Sequence, residues 1–450
     1  MRNEKFTRMS DNIKHTNTLP TMFQLTSTGM KIKLLGFVVV LWAIIPNIVS
    51  ANTDAEQSLE TQLYTLQAHV EYFKRTLNIE DQAPLSSAQM RSIVTNGTAY
   101  LQNAQRKTGS FSYEYVPYKD IYNRDDNIVR QAGALYELGE VVRRDKNRTL
   151  ELSDTIEGAI AYFENLSRED EFLRVTFRCI VENKNSSRCK LGATSLALIG
   201  ILSYVEAYPE KEEEYKDLIK AYANYIMGAK NIDAGFRDVH NIGDNGQPSK
   251  ESPFSNGEAL LALVRYFEYK QGLLSSGSSI KHVVNNTFEY LQGQEFDPAL
   301  YLWAMAALKD MQRLWPNEEY VSYAKEFTAL RIDRTTRHKG TQKNFCAYSE
   351  GIASAYSVLD ESATHAERSA LRNEIDFWNK RNSRLQIDSA DMYRISNIED
   401  ELVLTVLPDL DKANGGFLTS NDELTQRIDF TQHCISSYIQ TLVDIDGVSL

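Results

Sequence analysis

Apolar residues recur along the chain in six segments rich in glycine and alanine, and more strongly charged segments separate them. The apolar segments begin near residues 126, 190, 256, 297, 346 and 430. A charged segment such as EEEYKDLIKAYANYIMGAK carries a single apolar stripe, as a helix packed on one side does. Nearly all-apolar helices that alternate with amphipathic ones predict an inner ring of helices inside an outer ring.

The predicted fold class is therefore all-α, an (α/α)6-like toroid of alternating inner and outer helices with an extra N-terminal helix. The sequence contains no sustained alternation of apolar and polar residues, so no strand is predicted. Outer helices are predicted over 88–107, 153–168, 211–228, 277–293, 317–331 and 363–380. Ser255, with Glu258 three residues later, has the spacing of a capping box at an inner helix. The starts of the inner helices are expected to surround one cavity.

The first 51 residues have the features of a targeting segment. Within 30–51, two lysines precede an apolar run that ends in a small-residue cleavage pattern, which predicts a signal peptide and an exported protein, periplasmic or extracellular. Residues 1–29 then either precede the true translation start or form a long n-region of the signal peptide. The alternative is an uncleaved membrane anchor over 34–50. A lead-in helix within 52–87 and a toroid domain over 88–450 are predicted to follow.

The charge of the chain limits its partners. The formal net charge of the 450 residues is −12, although the first 51 residues are basic. An acidic body repels phosphate backbones and anionic membranes, so we expect no nucleic-acid partner, and membrane contact only through an uncleaved N-terminal segment. The sequence contains no motif typical of nucleotide binding, zincins or serine hydrolases, and we expect no cofactor.

Export would place the four cysteines in an oxidising compartment. Cys179 and Cys189 enclose a short polar loop, and we predict a disulfide between them. Cys346 and Cys434 stand at the starts of two inner segments and can meet only if the ring brings them together. A zinc site of Cys189, Cys346, Cys434 and His433 would lack the close ligand spacing of dedicated sites, so no metal is predicted.

A glycine with a phenylalanine one or two residues later recurs after outer helices, at Gly109, Gly235 and Gly415. Glycine can adopt the positive φ that ends a helix, and the phenylalanine can fill the gap between hairpins. Over 101–111, LQNAQRKTGSF, the pattern resembles the Gln…Gly-x-aromatic repeats of terpenoid-cyclase-like and prenyltransferase-like α/α toroids. The chain also resembles the toroids of six-hairpin glycosidase-like enzymes. The resemblance covers about 88–450 and implies an architecture rather than an activity, because the acidic motif of cyclases and the zinc ligands of prenyltransferases are not recognisable.

The densest polar cluster precedes the first inner helix and includes Tyr122, Asp125, Asp126 and Arg130. Aromatic rings beside carboxylates and an arginine suit a sugar, which needs a stacking face and hydrogen bonds to its hydroxyls. The alternative is that Asp125 or Asp126 only caps the helix and that Arg130 forms a surface ion pair.

Further candidates stand at the starts of other inner helices. These are Asp238, His240 and Glu258 at the third, Tyr348 and Glu350 at the fifth, and His433 at the sixth. A buried glutamate needs a partner, so Glu350 is expected to reach the cavity or to pair with an arginine. The alternatives are that Glu258 only closes its capping box and that His240 and His433 are structural.

Cleavage of a glycosidic bond needs two carboxylates in one site, about 5–5.5 Å apart for retention and about 6.5–9.5 Å apart for inversion. The predicted catalytic carboxylates are Asp125, Asp126, Glu258 and Glu350. The predicted substrate-binding residues are Arg130, Tyr122, Asp238, His240, Tyr348 and His433. A uronate lyase or epimerase would instead use a tyrosine or histidine as base and an arginine to neutralise the carboxylate.

We therefore expect an exported, carbohydrate-active protein of the glycoside hydrolase type, with its site at the starts of the inner helices. The alternatives are a uronate lyase or epimerase, and a non-catalytic toroid that binds a glycan, a lipid or a peptide. The stretch over 381–427 is too long for an ordinary connection. It forms either a lid over the cavity mouth or padding on the outside.

Overall fold

The structure is a computed structural model that describes residues 62–72, 82–231, 234–243, 250–270, 277–339, 343–359, 362–389, 391–398 and 401–450. The predicted targeting segment over 1–51 lies outside these residues. Of the predicted lead-in segment, residues 62–72 are helical. Among the described residues we find no helix whose length and hydropathy would suit a membrane span.

Helices of two kinds alternate along the described chain. The outer helices are α1 (Ser87–Ala104), α3 (Thr149–Leu166), α5 (Glu212–Ala229), α7 (Gly277–Gln292), α9 (Glu318–Thr336) and α11 (His365–Ser383). The inner helices are α2 (Ile128–Arg144), α4 (Leu191–Ala207), α6 (Pro253–Lys270), α8 (Pro298–Leu314), α10 (Cys346–Leu359) and α13 (Ile428–Ile439). A single short helix, α12 (Leu410–Ala413), interrupts the alternation.

The inner helices form a closed ring. Each inner helix packs against the next one along the chain, from α2 through α4, α6, α8 and α10 to α13. The ring closes because α13 also packs against α2. The predicted all-α toroid of inner and outer helices is therefore confirmed.

Burial explains the composition of the inner helices. In α4 every residue from Leu191 to Val205 is buried, whereas α5 buries one face and exposes its charged face. The approach of α2 to α4 is closest at two glycines, where a Cβ on Gly139 would lie 2.6 Å from the carbonyl oxygen of Gly200. A side chain cannot be accommodated at that crossing without separating the helices.

The start of α6 differs from the one predicted. The helix begins at Pro253, so Ser255 and Glu258 lie within it and the predicted capping box is wrong. The Ser255 hydroxyl donates to the carboxylate of Asp238 instead, and Glu258 is buried. Helix α3 likewise begins at Thr149, before the predicted start at 153.

Short strands that the sequence analysis did not predict connect the helices. They are β1 (Glu114–Val116), β2 (Ile121–Tyr122), β3 (Ser167–Phe172), β4 (Val175–Ile180), β5 (Arg188–Lys190), β6 (Val239–Asn241), β7 (Tyr393–Ile398), β8 (Glu401–Val406) and β9 (Gln426–Arg427). The pairs β3–β4, β5–β6 and β7–β8 are antiparallel, and β1 pairs with both β2 and β9. Strands this short leave too few alternating positions to be recognised from periodicity.

The glycine–aromatic turns join neighbouring hairpins in a repeated manner. Each phenylalanine is buried, and its backbone N–H donates to a side chain near the start of an inner helix. The three pairs are Phe111 with Gln131 at 2.7 Å, Phe236 with Asn256 at 2.7 Å, and Phe417 with Thr431 at 3.1 Å. Gly109 and Gly415 have the predicted positive φ, both at 84°, but Gly235 does not.

Buried ion pairs join the far ends of the inner helices. Arg265 of α6 contacts Asp310 of α8 at 2.6 Å and Glu140 of α2 at 3.4 Å. Asp444, which follows α13, contacts Lys309 of α8 at 3.1 Å. These contacts tie four inner helices together in a region that excludes water, where losing one partner leaves another charge uncompensated.

The described chain contains two disulfides, one over a short loop and one between distant parts of the chain. Cys179 is bonded to Cys189, the pair expected from the sequence, and this bond joins β4 to β5. Cys346 is bonded to Cys434, which fastens the start of α10 to α13. The ring therefore brings the second pair together, and the cysteines are not available as metal ligands.

Candidate active site

A cavity of about 400 Å³ opens where the inner helices begin. All six inner helices, or the residues just before them, contribute to its wall. Of the residues singled out from the sequence, those that line the cavity are Arg130, Asp238, Glu258, Tyr348 and His433. The wall also contains Asp429 and Gln432 of α13, and residues that the sequence did not single out, including Lys190, Tyr301, Trp303 and Arg331.

Glu258 places a protonated carboxyl group in this cavity. Its side chain is 3% exposed, and Oε2 has no hydrogen-bond partner among the described residues. Burial and, to a smaller extent, the charge of Asp238 raise the pKa of Glu258 to about 8. Gly192 of α4 makes room for the carboxyl group, because a Cβ there would lie 2.1 Å from Oε2. A carboxyl group that is neutral at pH 7 can donate a proton.

Asp238 provides a second carboxylate close to Glu258. It lies just before β6, contacts the Lys190 ammonium at 3.7 Å and accepts a hydrogen bond from the Ser255 hydroxyl. The cavity therefore holds one carboxyl group kept neutral by burial and, in the same wall, a second one paired with a lysine, an arrangement that suits the two roles of acid–base catalysis.

His433 and Glu350 form a hydrogen-bonded pair at the cavity wall. The His433 Nδ1 atom lies 2.7 Å from Oε2 of Glu350, and Glu350 is completely buried. Glu350 was expected either to reach the cavity or to pair with an arginine; it pairs with a histidine instead and does not line the cavity. The imidazole ring also lies 6.0 Å from the ring of Trp303, measured between centroids. A buried carboxylate on one ring nitrogen orients the imidazole and leaves the other nitrogen for a ligand.

Arg130 forms part of an ion-pair cluster at the start of α2. Its Nε atom lies 3.1 Å from Asp429, which also accepts a hydrogen bond from Arg427 at 2.9 Å. Tyr113 supplies a further hydroxyl contact to Arg130. Asp429 lies between two guanidinium groups, and Arg130 joins the first inner helix to the last at the cavity wall.

An arginine from an outer helix completes one side of the wall. The guanidinium of Arg331, on α9, lies 5.5 Å from the ring centroid of Tyr301 and 5.3 Å from that of Tyr348. The Tyr348 hydroxyl donates to Glu374 at 3.1 Å, which fixes its ring. No pattern in the sequence distinguished Arg331, because the charged residues of the outer helices are expected on the solvent-facing side.

Asp125 and Asp126 are exposed and do not line the cavity. Asn127 caps α2 through the N–H groups of Val129 and Arg130, so neither aspartate is the cap that was considered as the alternative. Oδ1 of Asp126 accepts a hydrogen bond of 2.7 Å from the Asn127 N–H. The two aspartates lie beside the cavity mouth, and their predicted catalytic role stays a prediction.

Tyr122 and His240 are also kept out of the cavity wall. Strand pairing holds Tyr122 in β2, where it is 38% exposed and its ring lies 4.9 Å from that of Tyr115. The buried His240 Nε2 atom lies 2.9 Å from Asp170, and its ring packs on Phe177. In the part of the chain that the structure describes, no group of three or more metal-ligating side chains is arranged to hold a metal ion.

The described residues of 381–427 contribute nothing to the cavity wall. The stretch contains the β7–β8 hairpin and is fastened by Arg394, which is fully buried and contacts Asp391 at 3.1 Å. Of the two predictions for this stretch, the anchoring favours packing on the outside of the ring over a lid at the cavity mouth.

The fold is the α/α toroid of six helix hairpins, and solved structures with this fold match most of the chain. A GH76 α-mannanase from Bacteroides thetaiotaomicron has a TM-score of 0.55 at 10% identity, over 78% of this chain and 94% of that chain. A D-mannose isomerase has a TM-score of 0.54 at 12% identity, over 79% of this chain and 98% of that chain.

An inactive variant of the α-1,6-mannanase GH76A of Salegentibacter sp. HEL1_6, in complex with α-1,6-mannotriose, has a TM-score of 0.53 at 12% identity. That match covers 78% of this chain and 98% of the mannanase. No protein-family model and no curated protein sequence matches the chain. At such low identities the similarity establishes the fold, and the chemistry has to be argued from the site.

Proposed function

We propose that this chain is a carbohydrate-active enzyme that cleaves a glycosidic bond by acid–base catalysis in the cavity at the starts of the inner helices. The observation that carries the proposal is the pair of carboxyl groups of Glu258 and Asp238. Glu258 has a pKa of about 8 and lines the cavity. Asp238 lines the same cavity and is paired with a lysine.

In the proposed reaction Glu258 donates its proton to the glycosidic oxygen as the bond to the anomeric carbon breaks. Asp238 either takes a proton from the attacking water or attacks the anomeric carbon itself, and the anomeric configuration of the product distinguishes these routes. Trp303 and Tyr301 line the cavity and offer aromatic faces on which a sugar ring can stack.

The similar structures support a carbohydrate substrate, because they include mannanases, one with bound α-1,6-mannotriose, and a mannose isomerase. The inactive mannanase variant carries asparagine in place of two consecutive aspartates. This chain also has two consecutive aspartates, Asp125 and Asp126, before α2. They therefore belong among the tested residues even though they do not line the cavity.

The test is a panel of α-mannans, other neutral glycans and polyuronates, assayed by release of reducing ends. We expect Glu258→Gln and Asp238→Asn each to lower the rate about 10²-fold or more. The matched control is Glu268→Gln. Glu268 lies on α6, as Glu258 does, but it pairs with Arg313 at the surface, so this variant should retain activity. Loss of activity in Asp125→Asn or Asp126→Asn, but not in Glu258→Gln, would move the chemistry to the cavity mouth.

A second candidate, a lyase or epimerase, is favoured by the pair of His433 and Glu350. An imidazole held by a buried carboxylate can take a proton from a carbon next to a carboxylate or carbonyl group. That reaction gives an unsaturated sugar, seen by ultraviolet absorbance, or exchanges the carbon-bound hydrogen with deuterium in heavy water. His433→Gln would abolish this reaction. Because elimination also creates a new reducing end, the unsaturated product or the hydrogen exchange, and not the reducing-end assay, distinguishes it from hydrolysis.

We also propose that the protein is exported, as the pattern over 30–51 predicts. The two disulfides support an oxidising compartment. Cell fractionation of the tagged full-length chain, with N-terminal sequencing of the product, tests this. A mature N-terminus near residue 52 is expected, and an intact N-terminus in the membrane fraction would indicate the anchor over 34–50.

A further inference from the structure

The cavity wall carries three cationic side chains, and carboxylates of the same wall neutralise two of them. Arg130 pairs with Asp429 at 3.1 Å, and Lys190 pairs with Asp238 at 3.7 Å. The third cation is Arg331. Within the described part of the chain Arg331 forms no ion pair, and its buried Nε atom has no hydrogen-bond acceptor.

The surroundings of Arg331 leave its charge largely uncompensated. The guanidinium lies beside the rings of Tyr301 and Tyr348, whose faces offset only part of the cost of removing it from water. Burial lowers the pKa of Arg331, Tyr301 and Tyr348 offset part of that effect, and the charge of Arg334 adds to it. No described carboxylate acts on it in the opposite sense. A guanidinium in this position gains free energy from any anion that binds against it.

We propose that the glycan bound in this cavity carries an anionic group, a uronate carboxylate or a sulfate ester, and that Arg331 binds that group. This inference rests on the proposed function, since it names the substrate class of the same site. A guanidinium presents two parallel N–H groups that match two oxygens of a carboxylate or a sulfate. Its stacking on Tyr301 and Tyr348 holds that planar fork in place before the ligand arrives.

Two features of the wall favour the same class of ligand. Glu258 is neutral at pH 7, because its pKa is about 8, and so does not repel an anion. The inner helices begin around the cavity, so the positive ends of their dipoles lie toward it. A neutral sugar would leave the Arg331 charge without a partner.

The test compares pairs of oligosaccharides that differ only in charge. Oligogalacturonates are paired with the same oligomers methyl-esterified, and sulfated dextran oligomers with unsulfated ones. Binding to the full-length Glu258→Gln chain, in which turnover is suppressed, is measured by calorimetry. We expect at least one anionic member to bind about tenfold more tightly than its neutral partner, and the difference to shrink as salt is added. The pair that shows the preference identifies a carboxylate or a sulfate.

Substitutions on α9 assign the preference to Arg331. Arg331→Gln should bring the affinity ratio close to one, and Arg331→Lys should retain part of it. Arg334→Gln is the matched control, because Arg334 is exposed on the same helix outside the cavity wall, and its ratio should be unchanged. If Arg331→Gln does not fold, the affinity ratios measured for the parent chain and for Arg331→Lys still decide whether Arg331 carries the preference.

The outcomes separate this inference from the proposed function. Neutral members that bind as tightly as their anionic partners overturn the inference. If wild type also cleaves a neutral glycan and Glu258→Gln does not, the proposed function stands without the inference of an anionic substrate. An absence of both binding and turnover for every oligosaccharide contradicts both proposals. An anionic preference that Arg331→Gln leaves intact would move the anion site to another cation of the wall.

Discussion

At the scale of single residues, Glu258 couples the cavity to the stability of the whole fold. Its carboxyl group has a pKa of about 8 in the folded protein, against 4.5 for an ordinary glutamate. The folded state therefore holds this proton more tightly than the unfolded state does. The resulting stabilisation is fully present below about pH 4.5 and is lost as the pH rises toward about 8.

We predict that Glu258→Gln becomes more stable relative to wild type as the pH rises from about 5 to about 8. Glutamine resembles the neutral acid, whereas wild type must ionise a buried group, at a cost of about 1.4 kcal/mol per pH unit within that range. Urea denaturation at several pH values measures the difference. Glu268→Gln is the control and should follow wild type. A constant difference between Glu258→Gln and wild type across the range would contradict the raised pKa.

A second prediction concerns Arg265, which is 7% exposed and joins Asp310 to Glu140. Arg265→Leu should destabilise the protein by about 3–5 kcal/mol, because it leaves two buried carboxylates without this partner. Arg178→Leu removes a surface pair with Glu164 and should cost less than about 1 kcal/mol. Chemical denaturation compares them, and equal losses would show that the network is not the cause.

Single residues are also where the sequence analysis was weakest. The capping-box spacing of Ser255 and Glu258 suggested an end of a helix, yet both residues are inside α6. His240 is at the start of an inner segment but is turned away by the β5–β6 pairing. Arg331 had no distinguishing pattern at all. Which way a side chain points depends on turns and strand pairs formed by residues far away in the sequence.

At the scale of elements, the small residues of the inner helices set how closely those helices pack. The contact between Gly139 of α2 and Gly200 of α4 is the clearest case. The sequence predicted these helices well because a nearly all-apolar segment cannot be stable except inside the ring. It did not predict the short strands, since two to six residues give no clear period.

Matched glycine substitutions test this point. Gly139→Ala should destabilise the protein by about 1–3 kcal/mol, because the new methyl group overlaps the α4 backbone. Gly228→Ala, on outer helix α5, meets only Phe172 at 4.0 Å and should stabilise the protein by about 0.5 kcal/mol through helix propensity. Denaturation midpoints measure both, and the same sign for the two changes would contradict the close α2–α4 approach.

At the scale of the whole molecule, the ring joins parts of the chain that are far apart in sequence. Periodicity was sufficient to predict that ring, because every pair of helices repeats the same burial pattern. Periodicity could not determine which side chains line the cavity, since the wall combines between one and five residues from each of the six inner helices. Arg130 and Asp429, nearly the whole domain apart, meet only because α13 packs on α2.

The two disulfides allow a prediction at this scale. They close segments with sequence separations of 88 residues for Cys346–Cys434 and 10 residues for Cys179–Cys189. The loop-entropy relation predicts that replacing the first pair by serine costs about 2 kcal/mol more than replacing the second. Guanidinium denaturation of the two double variants measures the difference. A larger loss for the short loop would indicate that local packing of β4 and β5 matters more than chain closure.

The closure of the ring by α13 also determines when the site can exist during synthesis. His433 and Asp429 belong to the last inner helix to be made, while Arg130 belongs to the first. A chain emerging from the ribosome can form its early hairpins one by one, but its cavity stays open on one side until the final helix docks. The cavity would thus remain incomplete throughout translation, and a chain that ends before residue 428 would lack the wall residues Asp429, Gln432 and His433.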